Sequence, residues 1–121
     1  MTTPTISDLR PLLERSLALW NEHADKDAWL DSWRTMAPGG LTFEDPVGTP
    51  TQHGVEALAS LWDRPVSVTI TMEQLVLSGS EAAAVMRNEG TTADHAFCVH
   101  TVETYALGAD GSLHVRVFAP H

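Results

Sequence analysis

Two acidic residues stand where a carboxyl group is either costly or constrained. From His95 to Leu107 the side chains alternate as on a strand, with Phe97, Val99, Thr101, Glu103, Tyr105 and Leu107 on one face. Cys98, His100, Val102, Thr104 and Ala106 fall on the other. Glu103 thus lies among the larger apolar side chains, where an ionised carboxylate is expensive, so it must find a partner or hold its proton. Two readings stay open at this point: a site that uses a perturbed acid, or a partly wet face on which Glu103 pairs with Arg87 or Arg116 across a sheet. Asp45 follows Phe43 and precedes Pro46. The proline ring restricts the chain before it and can hold that carboxylate at a pocket mouth in one orientation. Equally, an aspartate before proline can bond its own turn. The chemistry open to carboxyls in such places is proton transfer.

The elements that must position them read as helices first and strands after. Asp8 or Ser7 can cap a first helix with Pro11 in its first turn, and Leu9, Leu13, Ser16, Leu17 and Trp20 share one stripe. Asp25 or Asp27 opens a second helix carrying Trp29, Trp33 and Met36, and Pro38-Gly39-Gly40 stops it. After the short extended stretch Leu41-Thr42-Phe43, a third helix follows Gly54 with Val55, Leu58, Leu61 and Trp62 inward and ends at Asp63-Arg64-Pro65. The period then changes. Val66, Val68, Ile70 and Met72 alternate with Ser67, Thr69 and Thr71, and turn-rich breaks separate further strands at Ala82–Asn88, His95–Leu107 and Ser112–Phe118. Three helices followed by four strands in a meander predict an α+β domain over 1–121, with helices on one face of a curved antiparallel sheet that encloses a pocket.

Composition narrows the partners. The 121 residues, 43% hydrophobic and 19% charged, suit one folded domain with a sizeable core. A formal net charge of −9, with seven Lys and Arg against sixteen Asp and Glu, repels phosphate backbones and anionic lipid, so neither nucleic acid nor membrane is expected as a partner. Met1-Thr2-Thr3-Pro4-Thr5 is not a signal-peptide start, no apolar run approaches the roughly 20 residues of a membrane span, and the single Cys98 suits a reducing compartment; a cytoplasmic location follows. His95 and His100 face opposite sides of one strand, so no metal-ligand spacing emerges among the six histidines. Phosphate-loop, dinucleotide and Gly-x-Ser-x-Gly motifs are missing.

The run Phe43-Glu44-Asp45-Pro46-Val47-Gly48, with Gly54 and Ala57 after it, resembles the signature of bacterial ketosteroid isomerases within the nuclear transport factor 2-like, SnoaL-like superfamily. The resemblance extends from Leu9 to Phe118 and implies a cone-shaped, cystatin-like fold. It assigns Asp45 the role of catalytic base. Glu81-Ala82-Ala83 matches the family's strand start, and counting on without a gap brings Glu103 onto the second catalytic acid. By the same resemblance no cofactor is needed and the protein is a homodimer, for which an outer sheet face bearing Cys98, His100, Val102 and Thr104 is apolar enough.

The sequence also departs from the family. Ser16 and Trp62 replace two tyrosines, the second acid is Glu, Asn88 and Gly90 fall on a strand otherwise apolar, and the final strand is cut short at Phe118-Ala119-Pro120-His121. The expected pocket is formed by Ser16, Trp20, Trp33, Phe43, Trp62, Met86, Asn88, Phe97, Tyr105 and Phe118. Trp29 is a further candidate. Tyr105 is either a second oxyanion donor or a core residue whose hydroxyl reaches solvent. The implied activity is isomerisation of a ketosteroid or similar hydrophobic ketone. A SnoaL-like polyketide cyclase or dehydratase, and a binding protein for an apolar small molecule, are the alternatives. An epoxide hydrolase of this superfamily wants an Arg bracketed by inward carboxylates, which Thr101-Val102-Glu103-Thr104-Tyr105 lacks.

Overall fold

The computed structural model describes residues 3–120; Met1, Thr2 and His121, which belong to the opening and closing segments considered above, lie outside the described residues. Helix α1 spans Leu9–Glu22 and α2 spans Lys26–Met36. Asp25 caps α2, its carboxylate accepting the Ala28 N–H at 3.0 Å. Asp8 does not cap α1. It reaches back across a preceding 3-10 turn, Ile6–Asp8, and accepts the Thr5 N–H at 2.8 Å. The third helix is shorter than its apolar spacing suggests: a 3-10 turn at Val55–Leu58 runs into a single α turn, α3, at Ala59–Trp62.

The helices pack on one face of a six-stranded sheet. Its strands are β1 (Leu41–Glu44), β2 (Gln52–His53), β3 (Ser67–Ser78), β4 (Glu81–Thr91), β5 (Ala96–Leu107) and β6 (Leu113–Phe118), in the order β2-β1-β6-β5-β4-β3. The last four form the expected antiparallel meander. The extended Leu41-Thr42-Phe43 stretch is also a strand, paired parallel with β6 so that Leu41 and Phe43 enter the core beside Leu113 and Val115. Two strands of four and two residues are too short to show a period in the sequence. Strand β3 runs well past Met72, because a bulge at Glu73 resets the register between Met72 opposite Met86 and Gln74 opposite Val85. That irregularity breaks the alternation on which the shorter reading rested.

Edge strand β3 is covered by α1. The Asn21 side chain behaves as a strand neighbour, donating to Ile70 O and accepting from Ile70 N, both at 2.8 Å, while Trp20 Nε1 donates to Val68 O at 2.9 Å. Gly39 does more than stop a helix. A Cβ there would lie 2.3 Å from Asp110 O, so only glycine lets the α2 exit close on the β5–β6 turn. Among the described residues no helix is long and apolar enough to cross a membrane.

Candidate acid-pair site in an apolar cavity

Strand register brings the two acids to one place. On β5, Glu103 sits between Ala84 of β4 and Val117 of β6. The chain leaves β1 one residue beyond the Glu44–Arg116 pair, which sets Asp45 along the other flank of Val117. A hydrogen bond from Val47 N to Val117 O, 2.8 Å, fastens the turn there, and the Asp45–Pro46 peptide bond is cis. Both carboxyls line a cavity of about 360 Å³ between helices and sheet. Its walls include Leu17, Leu41, Leu58, Leu61, Val68, Ile70, Val115 and Val117, with Trp20, Trp29, Trp33, Phe43 and Phe97 as aromatic surface.

The surroundings of the two acids differ. Glu103 is deep; what solvent-accessible surface it has faces the cavity, and burial is the main cause that raises its pKa above the ordinary glutamate value. The Asp45 charge adds to that rise, while a hydrogen bond from Tyr105 opposes it. That bond is short, Tyr105 Oη donating to Glu103 Oε1 at 2.7 Å, and Tyr105 is 1% exposed. Burial and the neighbouring Glu103 push the phenol well above its usual value, so it remains a donor. Asp45 sits at the mouth. By surface area it is exposed, yet apolar walls desolvate its carboxyl and raise its pKa, and the Arg64 guanidinium pulls the other way. The surface that solvent reaches is the mouth itself, so Asp45 is the less enclosed and more readily ionised of the pair.

The alternative partners for Glu103 are engaged elsewhere. Arg87 binds Glu89 at 2.8 Å and Glu73 at 3.1 Å, and Arg116 binds Glu44 at 3.2 Å, all on the sheet's opposite face. Glu103 therefore keeps an uncompensated carboxyl whose only hydrogen bond among the described residues comes from Tyr105.

Six of the ten expected pocket residues line the cavity: Ser16, Trp20, Trp33, Phe43, Asn88 and Phe97. Four do not. Phe118 is opposite Val102 on the outer face, 41% exposed beneath the Arg116 guanidinium, because β6 alternates from Val117 inward to Phe118 outward. Trp62 lies behind the wall, stacked on His23 at 3.8 Å and against Trp20 and Trp29. Met86 is sealed in the core opposite Met72 and Thr101. Tyr105 is a core residue whose hydroxyl meets Glu103 and reaches neither solvent nor cavity.

Polar groups in the wall are few. Asn88 Nδ2 donates to Thr101 Oγ1 at 3.0 Å and to Val99 O at 3.1 Å, fixing the amide. The Trp33 indole N–H is buried without an acceptor among the described residues, which costs free energy until some acceptor meets it. Gly90, one of the departures noted in the sequence, is explained by packing: a Cβ would lie 2.2 Å from Ser67 O and 2.7 Å from the Phe97 ring. Arg64 is the wall residue that sequence reasoning passed over, since Asp63-Arg64-Pro65 reads as a helix stop. Among the described residues, no group of three or more His, Cys, Asp or Glu gathers to hold a metal ion.

No protein-family model matches the sequence, and no curated protein matches it. Solved structures do. The epoxide hydrolase/cyclase-like enzyme SalBIII, with a role in pyran ring formation in the polyether salinomycin, superposes with a TM-score of 0.75 at 23% identity over 94% of this chain and 92% of that one. Rv0760c from Mycobacterium tuberculosis, in complex with estradiol-17β-hemisuccinate, gives 0.67 at 22% identity over 90% and 91%. A computationally designed 17-OHP binder gives 0.69 at 20% identity over 90% and 88%. At such identities the likeness speaks for architecture, and the chain has the nuclear transport factor 2-like, SnoaL-like fold.

Proposed function

We propose that this chain is a cofactor-free isomerase that moves a double bond in a ketosteroid or similar hydrophobic ketone. The reading is carried by one observation: Glu103, an uncompensated and deeply enclosed carboxyl, shares an apolar cavity with Asp45, a second carboxyl nearer solvent. Groups whose surroundings push their proton affinities apart can divide acid and base roles. Asp45, ionised, removes a proton from the carbon next to the ketone and returns it two carbons along. Glu103 stays protonated and donates from Oε2 to the dienolate oxygen, while its Oε1 accepts from Tyr105. Tyr105 acts through Glu103 and does not itself meet substrate. Ser16 leaves room where the family's phenol would stand. The aromatic walls suit a flat, fused-ring body, and the two steroid-related neighbours support that ligand class.

The test is direct. A β,γ-unsaturated steroid ketone mixed with the protein develops conjugated-enone absorbance. Asp45→Asn lowers that rate about 10²–10⁴-fold, the usual contribution of a positioned base. Wild type no faster than Asp45→Asn ends the proposal.

A polyketide cyclase or dehydratase using the same Asp45 is the second reading, favoured by the fixed amide of Asn88 in the wall and by the likeness to SalBIII. Turnover of polyketide-like ketones, with none of steroids, selects it. Tight steroid binding without exchange of substrate protons selects a binding protein instead. We also infer a cytoplasmic homodimer joined through the sheet's outer face, where Val102 and Phe118 stand 40% and 41% exposed; sedimentation measures the association.

A further inference from the structure

We infer that the ligand is an amphiphile, with an apolar body in the cavity and an anionic head, a carboxylate, held outside it at Arg64. The inference rests on reading the cavity as a ligand site and adds the chemistry of the ligand's far end. A second concavity, of about 550 Å³, adjoins the first. The two share Arg64, Val66 and Val68, so the groove and the apolar cavity meet at these residues.

The groove is unlike the rest of the surface. Sixteen of the 121 residues are acidic, yet no Asp or Glu lines it. Ser67, Thr69 and Thr91 line it with hydroxyls that can donate to an anion without charge repulsion, while the Asn21 amide and the Thr92 hydroxyl, also in its lining, are bonded to Ile70 and His95. Its histidine, His23, has Nδ1 3.1 Å from Trp20 O and Nε2 3.1 Å from Trp62 O, with its ring stacked on Trp62, so both ring nitrogens are turned to the protein. Arg64 brings a permanently charged guanidinium to the lining of both the groove and the cavity. Among the described residues Lys26, Arg34, Arg87 and Arg116 each hold a carboxylate within 3.4 Å, whereas Arg10, Arg15 and Arg64 have no ion pair, and of those three it is Arg64 that lines both the cavity and the groove. A guanidinium left unpaired in so acidic a protein, at the junction of an apolar cavity and an acid-free groove, is suited to a planar carboxylate.

The experiment compares a phenolic steroid with its succinate half-ester, titrated by the fluorescence of the wall tryptophans. Wild type is expected to bind the half-ester about three- to tenfold more tightly than the neutral steroid at low salt, the range for a partly exposed charge-assisted contact. Arg64→Met should collapse that preference, the half-ester losing more affinity than the neutral steroid; Arg64→Lys should keep part of it, and added salt should narrow it. Equal wild-type affinity for both ligands overturns the inference and leaves the cavity reading standing. Equal weakening of both by Arg64→Met also overturns it, confining Arg64 to its effect on Asp45 and the wall. Failure of wild type to bind either ligand removes the cavity reading, and the inference falls with it.

Discussion

Replacing Tyr105 by Phe deletes one oxygen atom and one hydrogen bond, and the structure fixes how the cost must depend on pH. The bond joins two enclosed groups at 2.7 Å, with Glu103 Oε1 as acceptor. While Glu103 is protonated, the bond is between neutral groups and contributes about 0.5–1.5 kcal/mol. Once Glu103 ionises, the same bond is made to a charge and contributes roughly 1.5–3 kcal/mol. Burial raises the folded-state pKa of Glu103 above its unfolded value, so native stability declines as pH climbs from the ordinary glutamate range through the raised value. Tyr105 opposes that rise, and its loss lets the decline continue to higher pH. Urea unfolding at fixed temperature should therefore show a Tyr105→Phe penalty near 1 kcal/mol at pH 4 that grows to about 2 kcal/mol at pH 9. In a Glu103→Gln background the penalty should be flat with pH. A pH-independent penalty in the parent background, or one that shrinks as pH rises, would refute the placement of Glu103 as a buried acid steadied by Tyr105.

Three further outcomes follow from the same geometry. Glu103→Leu should lower isomerase kcat about 10²–10³-fold, the loss of one oxyanion donor, while Glu103→Gln retains part of the rate through its amide and unfolds at higher denaturant above neutral pH. Because Asp45 must be ionised to act, kcat/KM should fall as pH drops through its raised pKa; Arg64→Met, by removing a charge that lowers that pKa, should move the acid limb to higher pH. Gly90→Ala sets a methyl against Ser67 O and the Phe97 ring, and should destabilise by about 1–3 kcal/mol in thermal unfolding.

How much was legible in the sequence varied with how local each signal was. The order of helices and strands, the inward face of the Glu103 strand and the place of Asp45 before a proline all rest on short-range periodicity and punctuation. The second and third helices announced themselves by aromatic and aliphatic spacing, although the latter tightens into 3-10 geometry at Val55–Leu58. What the sequence concealed depends on register. The parallel pairing of Leu41–Glu44 with the final strand is what carries Asp45 to Val117, and no local pattern encodes it. The Glu73 bulge hid half of one strand, since a single inserted residue inverts the alternation. Phe118 looked like pocket because it is aromatic, but one step beyond Val117 it must face outward. Arg64 went unread because its place between cavity and groove comes from how the helices meet the sheet, which is visible only in three dimensions.

Carboxyl-carbon NMR titration, with Asp45→Asn and Glu103→Gln variants to assign the signals, reaches the claim beneath all of this. Asp45 should ionise first, and Glu103 should hold its proton to a pH above the ordinary glutamate range, so that between the two ionisations one carboxyl can take a proton while the other donates a hydrogen bond. A Glu103 signal that titrates at or below the usual glutamate value, or ahead of Asp45, would contradict the account.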